Sequence, residues 1–126
     1  QNLTVRSDIP PENDISQLRQ DILSVNGVGP ETADSIILYA AKKPVFVIDA
    51  YTKRILNRLG HKEEKYAELQ RLFMSSLPNT EKLFNEYHAL LVELGKNICK
   101  KTPLCCMCPV NKHCNYYKEV YKKGAD

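Results

Sequence analysis

The five cysteines of this chain all lie between positions 99 and 114 of its 126 residues. Four of them have the spacing Cys99-x5-Cys105-x2-Cys108-x5-Cys114, which places four thiolates in one short loop. Such a loop can fold around a tetrahedral zinc ion or a cubane iron–sulfur cluster, and the spacing alone is compatible with both. A disulfide framework is not expected, because the preceding 98 residues contain no cysteine that could pair.

Two other residues of this loop could replace one of the four ligands. A spacing of Cys99-x6-Cys106 is also possible, but Cys105 and Cys108 form the one x2 pair, so we expect Cys106 to remain free. His113 directly precedes the last cysteine. Because four cysteines already complete a metal site, His113 is predicted to be a surface residue.

The composition of the chain sets broader limits. A hydrophobic content of 43% is sufficient for the core of one domain of this length. The formal net charge of +3 is too small to indicate a nucleic-acid partner by itself. No stretch approaches the roughly 18 apolar residues that span a membrane, and no secretory leader is visible, so an intracellular protein without a membrane span is expected.

A glycine-rich turn, Asn26-Gly27-Val28-Gly29, separates two predicted helices. Glycine accepts positive φ angles and has no side chain, so the backbone amides of such a turn can approach a phosphate. Pro30 suits the first position of the helix that follows. The sequence therefore predicts a helix–hairpin–helix unit.

The pattern of apolar and capping residues predicts an all-α fold. Asp14, with Gln17 three positions later, predicts a cap for a first helix over about residues 15–24. The second helix is predicted over about residues 30–42. Its apolar stripe is expected to be buried and comprises Ala33, Ile36, Ile37 and Ala40.

A short apolar run, Val45-Phe46-Val47-Ile48, follows the second helix. It has β character, but no partner strand is evident in the sequence. We interpret it as a buried extended connector that delivers Asp49 to the start of a third helix over about residues 50–59. Two packing helices are predicted over about residues 63–76 and 80–97, so that a helical bundle ends in the cysteine loop.

Four motifs follow one another along the chain: the hairpin Asn26–Gly29, the segment Val47-Ile48-Asp49-Ala50-Tyr51, the segment from His88-Ala89-Leu90-Leu91 to Gly95, and the cysteine loop. Together they resemble the endonuclease III superfamily of DNA base-excision glycosylases over about residues 15–117. The resemblance implies a [4Fe–4S] cluster, with zinc as the alternative. Its implied ligands are Cys99, Cys105, Cys108 and Cys114.

The resemblance also implies a partner, double-stranded DNA that contains a damaged base, and a target nucleotide that is flipped into a pocket. The hairpin amides would contact a DNA phosphate, often together with a bound monovalent cation. Asp49 takes the place of the catalytic carboxylate, which stabilises the positive charge that develops on the deoxyribose. Its alternative role is to cap the third helix. The residues expected to contact DNA are Asn26, Gly27, Val28, Gly29, Lys53 and Arg54.

Cationic side chains are also predicted along the third helix. Lys53, Arg54 and Arg58 are expected to be available to solvent or to phosphate, because the apolar residues of that helix face inward.

Glu31 is the main departure from the superfamily pattern. Bifunctional members carry a lysine two residues after the second hairpin glycine, and its amine attacks the sugar. A carboxylate cannot form that imine, so the resemblance implies a monofunctional, hydrolytic DNA glycosylase. Glu31 would then have either a direct catalytic role or only a favourable interaction with the helix dipole. The alternatives are a bifunctional glycosylase and AP lyase, or a DNA-binding module without catalysis.

The first half of such an enzyme ordinarily precedes the hairpin by far more than the 25 residues present here. We therefore expect a C-terminal portion of a glycosylase, with the N-terminal half as a partner that full activity requires. The expected divisions are a lead-in over 1–13, the helix–hairpin–helix over 14–43, the catalytic aspartate with packing helices over 44–98, and the cluster loop with a tail over 99–126. In a bacterium the expected location is the cytoplasm, in association with the nucleoid.

Overall fold

The computed structural model describes the backbone of residues 11–122 and the side chains from residue 15 to residue 122. No β-strand occurs in this range, and the predicted all-α fold is confirmed. None of the described helices is both long enough and apolar enough to cross a membrane. The α-helices are α1 (Pro11–Leu23), α2 (Pro30–Ser35), α3 (Ala50–Leu59), α4 (Tyr66–Ser76) and α5 (Glu81–Asn97).

Helix α1 begins earlier than the sequence predicted. It starts at Pro11, so Asp14 lies inside the helix, and the prediction that Asp14 caps it is wrong. The physical reason is that proline suits the first turn of a helix, where its missing amide would have no partner in any case. The part of the expected lead-in before residue 11 lies outside the described residues.

Helix α2 is short and continues as a π-helical turn, Ile36–Ala40. The wider turn is closed by a hydrogen bond from the amide of Ala41 to the carbonyl of Ile36 (3.1 Å). Lys42 then adopts a positive φ of 57°, which ends the helix ahead of Pro44.

The buried face of α2 is rotated relative to the prediction. Ile36 and Ala40 are exposed, so the expectation that both are buried is wrong for them and holds for Ala33 and Ile37. The buried positions are instead Ala33, Asp34, Ile37 and Leu38. This rotation is possible because a carboxylate at position 34 finds partners inside the protein.

The extended connector occupies the centre of the core, as predicted. Val45, Phe46, Val47 and Ile48 are at most 3% exposed. Phe46 stacks on Phe73 of α4, with ring centroids 4.0 Å apart, and meets the edge of the fully buried Phe84 of α5 at 5.5 Å. Burial of such a run stabilises the fold by about 25 cal/mol per Å² of apolar surface. The connector is therefore held at a fixed position beneath α3.

Helices α3 and α5 pack closely against each other. Gly95 of α5 is buried against Tyr51, and a Cβ added at position 95 would lie 2.5 Å from Cδ1 of Tyr51. Only glycine allows this approach without movement of the tyrosine ring. The crossing places the end of α5 beside α3.

The cysteine loop begins directly after α5. The amide of Cys99 donates to the carbonyl of Leu94 (2.7 Å), and the chain then forms two 3₁₀ turns, Cys105–Met107 and Asn111–His113. Asn111 donates from Nδ2 to the carbonyl of Cys105 (3.0 Å), which ties the two turns together. A π-helical turn, Tyr117–Tyr121, follows.

Candidate functional site

The buried connector leads directly into Asp49 and fixes its position. Asp49 is the N-cap of α3, and its Oδ1 accepts a hydrogen bond from the amide of Thr52 (2.8 Å). This is the capping role that the sequence offered as the alternative to catalysis. A carboxylate has about four lone-pair positions, so the cap does not exhaust its acceptor capacity.

The second carboxylate oxygen of Asp49 faces a histidine from α5. Nε2 of His88 lies 3.2 Å from Oδ2 of Asp49, within ion-pair distance, although its direction is not that of a well-aligned hydrogen bond. The side chains are 15% and 13% exposed, respectively. On the other side of the ring, Nδ1 of His88 lies 2.7 Å from the hydroxyl of Tyr39. Tyr39, His88 and Asp49 therefore form one continuous polar line.

The environment of Asp49 favours its ionised form. Burial disfavours the charge, but His88 and the Thr52 amide outweigh burial, so the pKa of Asp49 lies below its usual value. Burial together with the charge of Asp49 raises the pKa of Tyr39. Asp49 is thus an anion at neutral pH, and Tyr39 keeps its proton.

A second carboxylate, Asp34, lies fully buried beneath the connector. Arg19 of α1 binds it in bidentate fashion, with Nε 2.7 Å from Oδ1 and Nη2 3.1 Å from Oδ2. This hydrogen bond raises the pKa of Arg19. Tyr66 and Gln70 of α4 each donate to Oδ2 at 2.8 Å. A buried charge with this many partners is well compensated.

The partners of Asp34 also bind the connector. Gln70 donates from Nε2 to the carbonyl of Phe46 (2.8 Å), and the hydroxyl of Tyr66 accepts a long hydrogen bond from the amide of Ile48 (3.4 Å). Burial and Asp34 raise the pKa of Tyr66 far above its usual value, so its hydroxyl stays protonated. The network therefore joins α1, α2 and α4 to the segment that carries Asp49.

The hairpin between α1 and α2 is exposed. Gly27 has a φ of 88°, a conformation that favours glycine. The amide of Val28 donates to the carbonyl of Val25 (3.1 Å). The amides of Gly27 and Gly29 make no hydrogen bond within the described residues. An added Cβ would meet nothing within 4 Å at either glycine. The geometry leaves room for an anionic ligand at the backbone.

Two further predicted site residues are also exposed. Glu31 stands in the first turn of α2, and Lys53 stands on the outer face of α3. Within the described part of the chain, neither side chain forms a hydrogen bond or an ion pair.

Arg54 and Arg58 are less available than the sequence predicted. Arg54 donates to the carbonyl of Gly95 (3.0 Å) and twice to that of Cys99 (3.0 and 2.7 Å), at the end of α5. Arg58 donates to the carbonyls of Lys100 (2.6 Å) and Lys101 (3.1 Å). The expectation that both guanidinium groups are available to solvent or phosphate therefore holds only in part, because carbonyls at the end of α5 and in the cysteine loop attract cations. DNA contact by Arg54 stays a prediction.

The four predicted metal ligands line one cavity. Cys99, Cys105, Cys108 and Cys114 surround it, and neither Cys106 nor His113 does. Within the described residues, no three Cys, His, Asp or Glu side chains converge closely enough to hold a single metal ion.

Polar contacts connect this cavity to α3. Arg58 donates from Nη1 to Sγ of Cys99 (3.4 Å), and Sγ of Cys114 donates to the Arg58 carbonyl (3.3 Å). Burial and the neighbouring cysteines raise the pKa of Cys105, against the influence of Arg58. Four thiolates in this space would repel one another unless cations lay between them.

Comparison with solved structures supports the architecture. A non-covalent endonuclease III–DNA complex superposes with a TM-score of 0.74 at 24% identity, over 86% of this chain and 50% of that chain. A trapped endonuclease III–DNA covalent intermediate superposes with a TM-score of 0.72 at 25% identity, over 79% of this chain and 47% of that chain.

Comparison of sequences gives closer relatives. A protein of Methanocaldococcus jannaschii, named as a DNA repair glycosylase, is 48% identical over 105 residues, which are 82% of this chain and 48% of the relative. The chain belongs to the endonuclease III superfamily. Endonuclease III of Sulfolobus acidocaldarius is 31% identical over 91% of this chain and 52% of its own length. That of Thermotoga maritima is 35% identical over 79% and 46%, respectively.

This member of the endonuclease III superfamily spans about half the length of the curated relatives that it matches. No protein-family model matches the chain.

Sequence reasoning missed three residues of the site. Asp34 could have been recognised, because it lies three and four residues before the buried Ile37 and Leu38 and thus on the same helical face. His88 lay within a motif of the resemblance, but nothing local indicates its partner, because 39 residues separate it from Asp49. No sequence feature indicated a role for Tyr39, since a single aromatic residue near a helix end is common.

Proposed function

We propose that this chain is part of a DNA glycosylase that removes a damaged base by hydrolysis in base excision repair. The observation that carries the proposal is the state of Asp49: an ionised carboxylate at the N-cap of α3, with the Thr52 amide on one oxygen and His88 beside the other. By the resemblance, Asp49 takes the place of the superfamily's catalytic aspartate. The likeness to endonuclease III complexes with DNA supports DNA as the partner, and we propose that this partner is double-stranded DNA with a damaged base.

The reaction follows from the charge of Asp49. The bond between C1′ and the base nitrogen breaks, and its electron pair leaves with the base. The positive charge that remains on the deoxyribose is stabilised by the nearby carboxylate. A water oxygen then bonds to C1′, and its proton passes through Asp49 to solvent or to the departing base. Asp49 begins and ends the cycle ionised.

Glu31 supports a hydrolytic rather than a lyase mechanism. The position where bifunctional members carry the attacking lysine holds an exposed carboxylate in this chain. A carboxylate cannot form an imine with the sugar. Its place in the first turn of α2 also suits the helix dipole, an interaction of about 0.3–1 kcal/mol. A catalytic role for Glu31 would require a contact with substrate.

Borohydride trapping on abasic DNA tests the mechanism. The hydrolytic proposal expects no efficient covalent adduct with the full-length enzyme. An efficient adduct that disappears when a lysine is replaced would instead establish the bifunctional glycosylase and AP lyase.

The hairpin supports backbone contact with DNA. Its exposed amides at Gly27 and Gly29 can donate to a phosphate, with a monovalent cation as a further possible ligand of the turn. A sequence-independent grip of this kind suits an enzyme that must search DNA for damage. The same feature would suffice for a DNA-binding module without catalysis, which is the second candidate.

Replacement of Asp49 by Asn separates the two candidates. Asparagine is as good an N-cap as aspartate but carries no charge. In the full-length enzyme, Asp49→Asn should abolish excision and leave DNA binding nearly unchanged. Excision at the wild-type rate by this variant would remove Asp49 from the mechanism, whereas DNA binding without excision by the wild-type enzyme would favour the binding module.

We also propose that the cysteine cavity holds a [4Fe–4S] cluster. The four cysteines surround one cavity, so they can supply the four thiolate ligands of such a cluster. The resemblance to the endonuclease III superfamily supports the cluster over zinc. When bound, such a cluster can stabilise a loop or transfer electrons.

Metal analysis distinguishes the two cofactors. A brown protein with about four iron atoms and four sulfides per chain is expected. A colourless protein with one zinc would establish the alternative.

The remaining proposals concern the whole protein. Because the chain spans about half of its relatives, we propose that it is a C-terminal portion and that a further N-terminal half completes the pocket for the flipped base. We also propose that the enzyme acts inside the cell, in the cytoplasm of a bacterium, where its DNA partner lies. Addition of the N-terminal half should convert a DNA-binding chain into one that excises bases.

A further inference from the structure

The polar line from Tyr39 to Asp49 joins three parts of the fold that are distant in sequence. Tyr39 lies in the π-helical turn after α2, His88 lies in the middle of α5, and Asp49 begins α3. The ring of Tyr39 meets that of His88 edge to face, with centroids 5.9 Å apart. Tyr39 is 42% exposed, whereas His88 and Asp49 are nearly buried. The line therefore runs from the surface to the candidate catalytic carboxylate.

We propose that His88 is a positioning residue for Asp49: its Nε2–H fixes Oδ2 of the carboxylate, while Tyr39 fixes the ring through Nδ1. The catalytic part of this inference rests on the proposed function of Asp49. The geometric part concerns the folded chain alone.

The proton positions follow from the three groups. Oδ2 of an ionised carboxylate can only accept, so Nε2 of His88 must carry a proton to face it at 3.2 Å. In the neutral ring, Nδ1 then has a lone pair, and the Tyr39 hydroxyl donates to it. In the charged ring, Nδ1–H donates to the Tyr39 oxygen instead. The contact with Asp49 thus survives in both states of the ring.

Packing alone does not explain this arrangement. The crossing of α3 and α5 is already fixed by Gly95 against Tyr51 and by the hydrogen bonds of Arg54. The cap of α3 is already made through Oδ1 of Asp49. A buried Nε2 without a well-aligned hydrogen bond is costly. An ionised partner at Oδ2 offsets that cost.

The groups that face Asp49 are few. Among the described residues, the titratable side chain that lowers the pKa of Asp49 is His88 from α5, and Asp49 in turn raises the pKa of Tyr39 from the turn after α2. The Thr52 amide acts on Asp49 from its own helix. Replacement of His88 by Ala also reduces the burial of Asp49, which alone would lower its pKa, so a rise in the Asp49 midpoint reports the loss of the His88 contact.

The first experiment needs no enzymatic activity. The Cγ signal of Asp49 is followed by carbon NMR against pH in the folded 126-residue chain, and the nitrogen signals of His88 report which ring atoms carry protons. In wild type, Nε2 should be protonated throughout the range in which Asp49 is ionised. A ring protonated only on Nδ1 in that range would overturn the proposal.

Three variants sharpen this measurement. His88→Ala should raise the midpoint of the Asp49 titration by about one pH unit. His88→Gln should restore part of the shift, because its amide can donate from nearly the same place as Nε2. Tyr39→Phe should leave the ring without its Nδ1 partner and produce a smaller rise. An unchanged Asp49 midpoint in both His88 variants would overturn the proposal.

His61→Gln is the matched control. His61 lies in the segment before α4 with Glu63 at 3.8 Å and does not face Asp49. It should leave the Asp49 titration unchanged, and a change as large as that of His88→Ala would mean that the effect is not specific to His88. Circular dichroism of each variant establishes that the helices remain folded.

A second experiment uses the full-length enzyme. His88→Ala should lower kcat for excision about tenfold or more with little change in KM, and should move the acid limb of the pH–rate profile to higher pH. His88→Gln should recover most of kcat. If NMR shows the contact but His88→Ala excises at the wild-type rate, the catalytic part is overturned. If neither the wild-type enzyme nor any variant excises a base, but NMR shows the contact of His88 with Asp49, the proposed function fails and the geometric part stands.

Discussion

Arg19 of α1 binds the fully buried carboxylate of Asp34 through two hydrogen bonds, of 2.7 and 3.1 Å. Through Gln70, the same carboxylate is linked to the carbonyl of Phe46 in the connector. The position of Asp49 thus depends on a buried charge in α2.

Replacement of Asp34 by Ala should destabilise the fold by about 3 kcal/mol or more. The change leaves the buried hydroxyl of Tyr66 and the amide of Gln70 without their common acceptor, and it removes the partner of Arg19. Urea unfolding followed by circular dichroism measures the loss. Asp21→Ala, at an exposed position of the same charge on α1, should cost less than about 0.5 kcal/mol. Equal losses for the two variants would contradict the assigned role of Asp34.

Gly95→Ala should destabilise the crossing of α3 and α5 by about 1–3 kcal/mol, because the new methyl group would overlap Tyr51. Combination with Tyr51→Ala should recover part of the loss in a double-mutant cycle. Gly29→Ala is the control, since its added Cβ meets nothing within 4 Å. Additive effects of the Gly95 and Tyr51 replacements would show that the two residues do not limit each other.

The acid stability of the fold should depend on Asp49. Because its pKa in the folded state lies below the unfolded value, the ionised group stabilises the fold above the unfolded pKa of about 3.9, and this contribution is lost as the pH falls through the folded pKa. As the pH falls below about 4, the free energy of unfolding should fall more steeply for wild type than for Asp49→Asn. Parallel curves for the two proteins would refute this assignment.

The cofactor should depend on four of the five cysteines. Cys108→Ser removes a residue that lines the cavity, and iron content and visible absorption should fall sharply. Cys106→Ser is the matched control, because Cys106 is exposed and does not line the cavity. It should retain the iron of wild type. Loss of iron in Cys106→Ser with retention in Cys108→Ser would reassign the ligands.

Much of the fold followed from local patterns. Helix α3 begins and ends where the sequence placed it, because Asp49 and Gly60 are strong boundary signals: one caps the helix, and the other has a φ of 127°. The burial of the connector was also predictable. Four consecutive apolar residues that have no partner strand must be buried against helices instead.

The differences arose where a distant residue decides a local outcome. The face of α2 could not be predicted from its apolar residues, because Asp34 is buried only when Arg19 and Gln70 reach it from other helices. Arg54 and Arg58 resembled cations for phosphate, but the end of α5 supplies carbonyls that no local pattern reveals. The contact of His88 with Asp49 likewise exists only after α3 and α5 have packed.

Helix α3 carries Asp49 at its first end and two arginines, one helical turn apart, that bind the end of α5 and the cysteine loop. Insertion of a single residue between Asp49 and Arg54 would rotate both arginines by about 100° around the helix axis relative to Asp49. Their hydrogen bonds to the carbonyls would then be lost. The number of residues between Asp49 and Arg54 is therefore fixed. Sequence change in this protein can alter side chains along α3, but an insertion or deletion there would separate the carboxylate from the loop that supports it.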